Sequence, residues 1–202
     1  MKNSKGENTS IVYGFVNKLE MILKDYSPSH IAVVFDSAAK TFRHEIYPEY
    51  KAQRQATPEE IHASVPLIKK IVDAYNIPQF AIDGYEADDI LGMIAKYNED
   101  NNMDTIIISS DRDLYQLIDE HTFILSPRNS DVIDTAYLVE KYKLMPYQWI
   151  DLKILQGDHS DNIQFFDDKH KNVFKRIIGK IAKKVLIVRP KAKNKECIGC
   201  QK

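Results

Sequence analysis

Cysteine is almost missing from this chain. Only Cys197 and Cys200 occur in 202 residues, both within the last six, so no disulfide framework can hold the body together and stability must come from a packed core. Long apolar runs are missing too. No stretch of about eighteen apolar residues offers a membrane span. The polar start Met1-Lys2-Asn3-Ser4-Lys5 is not a secretory leader, so no membrane association and a cytoplasmic location are expected. There is no internal repeat and no low-complexity segment. Cys197-Ile198-Gly199-Cys200 has no second pair, which leaves half a zinc knuckle at best and makes free thiols the expectation. None of the six histidines has metal-ligand spacing. With 44% hydrophobic and 28% charged residues, the chain has the composition of an ordinary globular protein with one sizeable core.

The net charge of −1 hides a division. Residues 1–163 carry 16 Lys+Arg against 26 Asp+Glu, a balance of −10, whereas residues 164–202 carry 12 against 3, a balance of +9. Two units are therefore expected, an acidic domain over 1–163 and a basic tail over 164–202. Such a tail suits either a solvated end or contact with a nucleic-acid backbone. Within it, the stretch from Val173 to Val188 reads as a basic amphipathic helix running into a strand-like end.

Apolar periodicity lays out the acidic part. Ile11, Val12, Phe15, Val16, Leu19, Ile22 and Leu23 recur at helical spacing, which predicts a helix over 10–25. The β-branched run 31–35 predicts a strand buried on both faces. Thr57-Pro58-Glu59-Glu60 supplies a cap, a first-turn proline and a capping-box glutamate for a helix from 58 to about 75. Further strands are predicted at 79–82, 105–108 and 122–125, and further helices at 86–98, 111–118, 134–142 and 146–156. Alternation of this kind predicts an α/β fold with three layers, helices on both faces of one mostly parallel central sheet.

Carboxylates gather in four clusters: Asp36, then Glu86-Ala87-Asp88-Asp89, then Asp111-Arg112-Asp113, then Asp158-His159-Ser160-Asp161. The first three follow a strand-like run or open a helix, and the ends of parallel strands share one crevice, so these acids are expected to converge. Any one of them has a duller role as a helix cap or first-turn acid. A cap needs one carboxylate, however, and the crowding recurs. Crowded acids are tolerable when hard cations neutralise them, and Mg²⁺ or Mn²⁺ prefers oxygen ligands. Two such ions roughly 4 Å apart suit phosphodiester hydrolysis. Between the first strand and the helix at 58 lie Lys40, Arg43, Tyr50, Lys51 and Arg54, cations interleaved with aromatics that suit phosphate contacts and stacking on an unpaired base.

Together these segments resemble the 5′-nuclease domain of bacterial DNA polymerase I and its flap-endonuclease relatives. The resemblance is carried by AVVFDSAAKTFRHEIYPEYKAQR (32–54), GYEADDILG (84–92), SSDRDLYQL (109–117) and LQGDHSDNI (155–163), over roughly residues 8–163. It implies a PIN-like, resolvase-like fold and a metal-dependent 5′-3′ exonuclease or flap endonuclease of replication and repair. It assigns Asp36, Glu86 and Asp88 to a first metal with Asp89 nearby, and Asp111, Asp113 and Asp158 to a second with Asp161 beside them. Lys51 and Arg54 would hold the scissile phosphate. The implied partners are DNA with 5′ flaps, nicks or branches, RNA primers and a DNA polymerase; a monomer is expected.

Two departures from that family stand out. Its opening apolar strand, which carries an Asp ligand, has no counterpart before the helix at 10, so a gap in the sheet and weakened cleavage are expected. Its glycine-rich helix–hairpin–helix is replaced after Ile163 by Gln164-Phe165-Phe166-Asp167-Asp168. Two other readings stay open at this level: a PIN-like ribonuclease, and a catalytically inactive nucleic-acid-binding fragment. The segment 50–54 and Gly157-Asp158 favour the nuclease over the ribonuclease.

Overall fold

A computed structural model describes residues 9–163. The basic tail over 164–202, its helix and strand-like end, and the Cys197/Cys200 pair lie outside those residues. The elements in chain order are α1 (Ser10–Tyr26), β1 (Val33–Val34), α2 (Phe42–Ile46), α3 (Glu59–Ala74), β2 (Gln79–Phe80) and α4 (Ala87–Asp100). Then come β3 (Thr105–Ile108), a 3-10 turn (Asp113–Leu117), β4 (Thr122–Leu125), β5 (Val132–Ile133), α5 (Thr135–Tyr142) and α6 (Gln148–Gln156). Among the described residues no helix is long and apolar enough to cross a membrane.

The α/β class holds, and the expected gap divides the described strands into two sheets. β1 pairs with β2 in parallel, Val33 opposite Gln79 and Val34 opposite Phe80. Separately, β3 runs parallel to β4, and β5 adds to β4 antiparallel. β1 and β3 are not hydrogen-bonded to each other, and no described strand lies between them. With a partner on one side only, the runs at 31–35 and 79–82 keep two ladder residues each, and Ile106 and Ile108 of β3 are exposed instead of covered on both faces. α4 joins the halves by packing against both β1 and β3.

Each half has its own core. In the first, Leu19 of α1 meets Ile68 and Val72 of α3, with Ile77, Val33 and Phe35 against them; this is the stripe read from the sequence. The second gathers Ile107, Leu114, Ile124, Ile133, Leu138 and Trp149. There the Tyr115, Tyr142 and Trp149 rings meet at centroid distances of 5.0 to 6.3 Å in tilted and edge-on pairs, the arrangement favoured by the ring quadrupole.

Local chemistry shifts several boundaries. The expected cap at Thr57 does not form: α3 starts at Glu59, its cap position is the extended Pro58, and Ile61 and His62 donate to the Pro58 carbonyl. Pro66 sits inside α3. The helix expected over 111–118 shrinks to a 3-10 turn, because Asp111 donates its N–H to Ser109 Oγ (3.0 Å) and accepts the Asp113 N–H (2.8 Å). Such side-chain bonds compete with helical ones. Two short elements, α2 and β5, were not legible from periodicity.

Candidate metal and nucleic-acid site

The end of β3 and the start of α4 open onto a cleft of about 1850 Å³ whose lining includes Glu86, Asp88, Asp111, Asp113 and Asp158. Asp36 follows β1, and its Oδ1 accepts the Ala87 N–H at 2.8 Å, capping α4 from a distant segment. Glu86 is the N-cap residue of α4, and its own N–H is held by Asp89 Oδ2 at 3.0 Å. Asp88, in the first turn, points among the other acids. Burial, then the charges of Asp111, Asp36, Glu86 and Asp113, push its carboxyl up to about 6 from the usual 3.8. Five acids from three segments therefore converge, as expected from strand ends sharing one crevice.

The second half of the cluster is built by α6. Its C-cap, Gly157, adopts φ 68°, which an L side chain enters only with strain. This turns the chain so that Asp158 faces back over the cleft. Asp158 pairs with Ile163 through two backbone hydrogen bonds of 2.8 Å and accepts from the Ser160 N–H (2.8 Å) and Ser160 Oγ (2.6 Å). Burial raises the Asp158 carboxyl, but the bonds from Ser160 and Lys153 outweigh it and hold it at about 2. Asp113 carries the opposite balance. Burial lifts its carboxyl above the ordinary range although Lys153 lies beside it.

The segment after α2 is laced to the loop at 158–163. Lys51 N–H donates to the Asp161 carbonyl (3.0 Å), Asn162 Nδ2 to the Glu49 carbonyl (2.9 Å) and Arg54 Nε to the Ser160 carbonyl (3.1 Å), while Gln53 reaches the His159 carbonyl. Three cations on the cleft wall are paired with acids: Lys51 with Glu86 (2.6 Å), Arg54 with Asp161 (2.5 Å) and Arg43 with both Asp89 oxygens (2.7 Å each). Lys153 lies between Asp113 (2.5 Å) and Asp158 (2.9 Å).

Several sequence expectations change in detail. Tyr50, offered to an unpaired base, is only 5% exposed; its hydroxyl lies 2.9 Å from Asp161 Oδ2 and 3.2 Å from Glu86 Oε2, so the ring is packed rather than open for stacking. Burial and those two acids raise the phenol above its ordinary range. Arg43 and Asp89 satisfy each other instead of facing phosphate and metal, and the Arg43 hydrogen bonds lower the Asp89 carboxyl. Lys40 is exposed and does not line the cleft. Periodicity gave no hint of Lys153 or Ser160. The one signal available was that Lys153 precedes Asp158 by a little over one helical turn.

The donors are all carboxylate oxygens, which fits hard divalent ions. Asp36, Glu86 and Asp88 form one candidate set and Asp111, Asp113 and Asp158 the other. The lifted Asp88 carboxyl reflects its burial and the charges of four neighbouring acids. Among the described residues no three acids are drawn tightly enough to hold one ion, and ammonium groups sit on Glu86 and between Asp113 and Asp158.

The folded state holds the Asp88 proton more tightly than the unfolded chain does. The resulting penalty is absent below the ordinary 3.8, grows as pH rises above that value and is complete above about 6. Asp88→Asn should therefore raise the melting temperature in EDTA at pH 7.5 by about 3 °C, allowing for solvent around the group. The gain should vanish at pH 3.5. An unchanged or lower melting temperature at pH 7.5 would contradict this.

A two-sheet α/β domain with convergent acids and basic flanks defines a class, and the comparisons supply the family. The 5′-3′ exonuclease, N-terminal resolvase-like domain matches residues 1–143, and the chain belongs to that family. It is 42% identical over 166 residues to the DNA polymerase I of Streptococcus pneumoniae, covering 80% of this chain and 19% of the polymerase. The thermostable DNA polymerase I of Thermus thermophilus is 44% identical over 163 residues, covering 81% and 19%. The chain thus spans about a fifth of the length of these relatives. The structure of T5 5′-exonuclease with bound divalent metal ions (zinc) superposes with a TM-score of 0.66 at 25% identity, over 91% of this chain and 73% of that one.

Proposed function

We propose that this chain is a metal-dependent 5′-nuclease that hydrolyses DNA phosphodiester bonds, as a 5′-3′ exonuclease or flap endonuclease of replication and repair. The observation that carries this is one cleft that gathers Glu86, Asp88, Asp111, Asp113 and Asp158 and bears Lys51, Arg54 and Lys153 on its walls, with Asp36 close enough to add its charge to Asp88. Family membership and the likeness to T5 5′-exonuclease support it.

Two Mg²⁺ or Mn²⁺ ions are the proposed cofactors, one held by Asp36, Glu86 and Asp88 and one by Asp111, Asp113 and Asp158, with Asp161 beside them. When bound, such ions supply a nucleophilic water near neutral pH and stabilise the leaving oxygen of an in-line displacement. The chain's own groups do the rest. Asp88 and Asp113 line the cleft and are the carboxylates whose charge a bound cation would relieve. Lys51 and Arg54 would exchange Glu86 and Asp161 for the non-bridging oxygens of the scissile phosphate; Arg54 is suited to bidentate contact and Lys51 to a point charge. Gly157 and Ser160 orient Asp158. The proposed substrates are 5′ flaps, nicked or branched duplexes and RNA primers. The +9 balance of residues 164–202 would add salt-sensitive backbone contacts, and a DNA polymerase is the proposed working partner of a monomer in the cytoplasm.

The test is cleavage of a labelled 5′-flap DNA by the full chain in Mg²⁺ or Mn²⁺ against EDTA. Metal-dependent release of the flap is the expected result. Binding without cleavage in any metal would replace this function by nucleic-acid binding alone.

A further inference from the structure

Lys153 projects from the last turn of α6 into the cleft, and its ammonium contacts two carboxylates assigned to the same ion: Asp113 Oδ1 at 2.5 Å and Asp158 Oδ2 at 2.9 Å. Those acids come from separate segments, the 3-10 turn after β3 and the turn after α6, and the two elements pack against each other. A hard divalent ion shared by the same two groups would sit about 2.0 to 2.6 Å from each oxygen. The nitrogen therefore stands near the place such an ion needs. A monovalent and a divalent cation cannot share that space, and their repulsion at a few ångströms is appreciable even near a surface.

The side chain is also built to leave. It is about one-third exposed, and an ammonium on a four-carbon stem reorients at little cost, unlike the guanidinium of Arg43, which is fixed by two parallel bonds to Asp89. The other bonds to the Asp158 carboxylate, from Ser160 and from the Asp161 N–H, reach Oδ1, the oxygen that Lys153 does not touch.

We propose that Lys153 is the resident counter-cation of the Asp113–Asp158 pair: it holds the two carboxylates together while no divalent ion is present, yields them when one binds, and thereby sets the affinity of that half of the centre. This is a positioning role. It rests on the proposed reading that Asp113 and Asp158 hold a metal.

The test compares Mn²⁺ binding by the full wild-type chain, Lys153→Met and Lys153→Arg, followed by the free-Mn²⁺ electron paramagnetic resonance signal, together with melting in EDTA. Met keeps the length and apolar stem and removes the charge. Lys153→Met should melt a few degrees lower in EDTA yet bind Mn²⁺ about tenfold more tightly at one site, the order of effect for a displaced charge in a partly exposed pair. Lys153→Arg, which restores the charge, should return the affinity toward wild type. A merely structural lysine would leave Mn²⁺ affinity unchanged or weakened on removal, and either result overturns the inference while the metal reading stands. If neither wild type nor variant binds Mn²⁺, both fall. Should Lys153→Met fail to fold in EDTA, Lys153→Gln serves for the same comparison and the same outcomes decide.

Discussion

Asp111→Asn should lower Mg²⁺-dependent cleavage of a 5′-flap DNA by on the order of a thousandfold, the upper range for removing one preorganised charge-stabilising group. The substitution isolates charge from structure. In the native chain Asp111 Oδ1 accepts the Asp113 N–H at 2.8 Å, and the Asp111 N–H donates to Ser109 Oγ at 3.0 Å. An asparagine oxygen can keep the first bond and its backbone the second, so the turn that presents Asp113 survives. Melting in EDTA should stay the same or rise, because one of the charges crowding Asp88 is gone. The stabilisation that Mn²⁺ gives by binding only the folded state should shrink. Cleavage within tenfold of wild type, in a variant that melts normally, would remove Asp111 from the metal centre.

The legible parts of this molecule were those that one periodicity or one residue type could announce. The α1 stripe and the Ile-rich β3 are local patterns, and each is found where the pattern put it. Helix ends were less legible because several chemistries compete there: Thr57 looked like the cap of α3, yet Pro58 holds that place, and at α4 the N-cap Glu86 is joined by Asp36, fifty-one residues before the Ala87 N–H it accepts. The division into two sheets agrees with the gap expected in the sheet, but how short β1 and β2 become was not legible, because a single strand's sequence does not say whether its other edge has a partner. The pairings of cations with acids were illegible for a related reason. Arg43 reads as a phosphate contact and Asp89 as a metal ligand when each is taken alone; only the approach of α2 to the start of α4 joins them.

That junction carries the last expectation. Arg43 forms two bonds of 2.7 Å to Asp89, and Asp89 in turn holds the Glu86 N–H at 3.0 Å, so the guanidinium fixes a proposed metal ligand through an intermediary. Both side chains are mostly shielded, at 31% and 20% exposure. Arg43→Met would leave a partly desolvated carboxylate without its cation, at a cost of about 2 kcal/mol, between the ranges for exposed and fully buried pairs. The loss should depend on pH with a definite sign. Because Arg43 lowers the Asp89 carboxyl below its ordinary 3.8, the stabilisation is complete above that value and disappears as pH falls through the lowered one. Wild type and Arg43→Met should therefore differ in melting temperature at pH 7 and converge in strong acid. Cleavage should fall as well, by on the order of a hundredfold, since a shift of about 1 Å in a catalytic group can cost that much. The double variant Arg43→Met/Asp89→Leu removes the stranded charge and should recover most of the stability but little of the rate. If it recovers both, the pair serves stability alone; if Arg43→Met cleaves like wild type, Glu86 needs no such support.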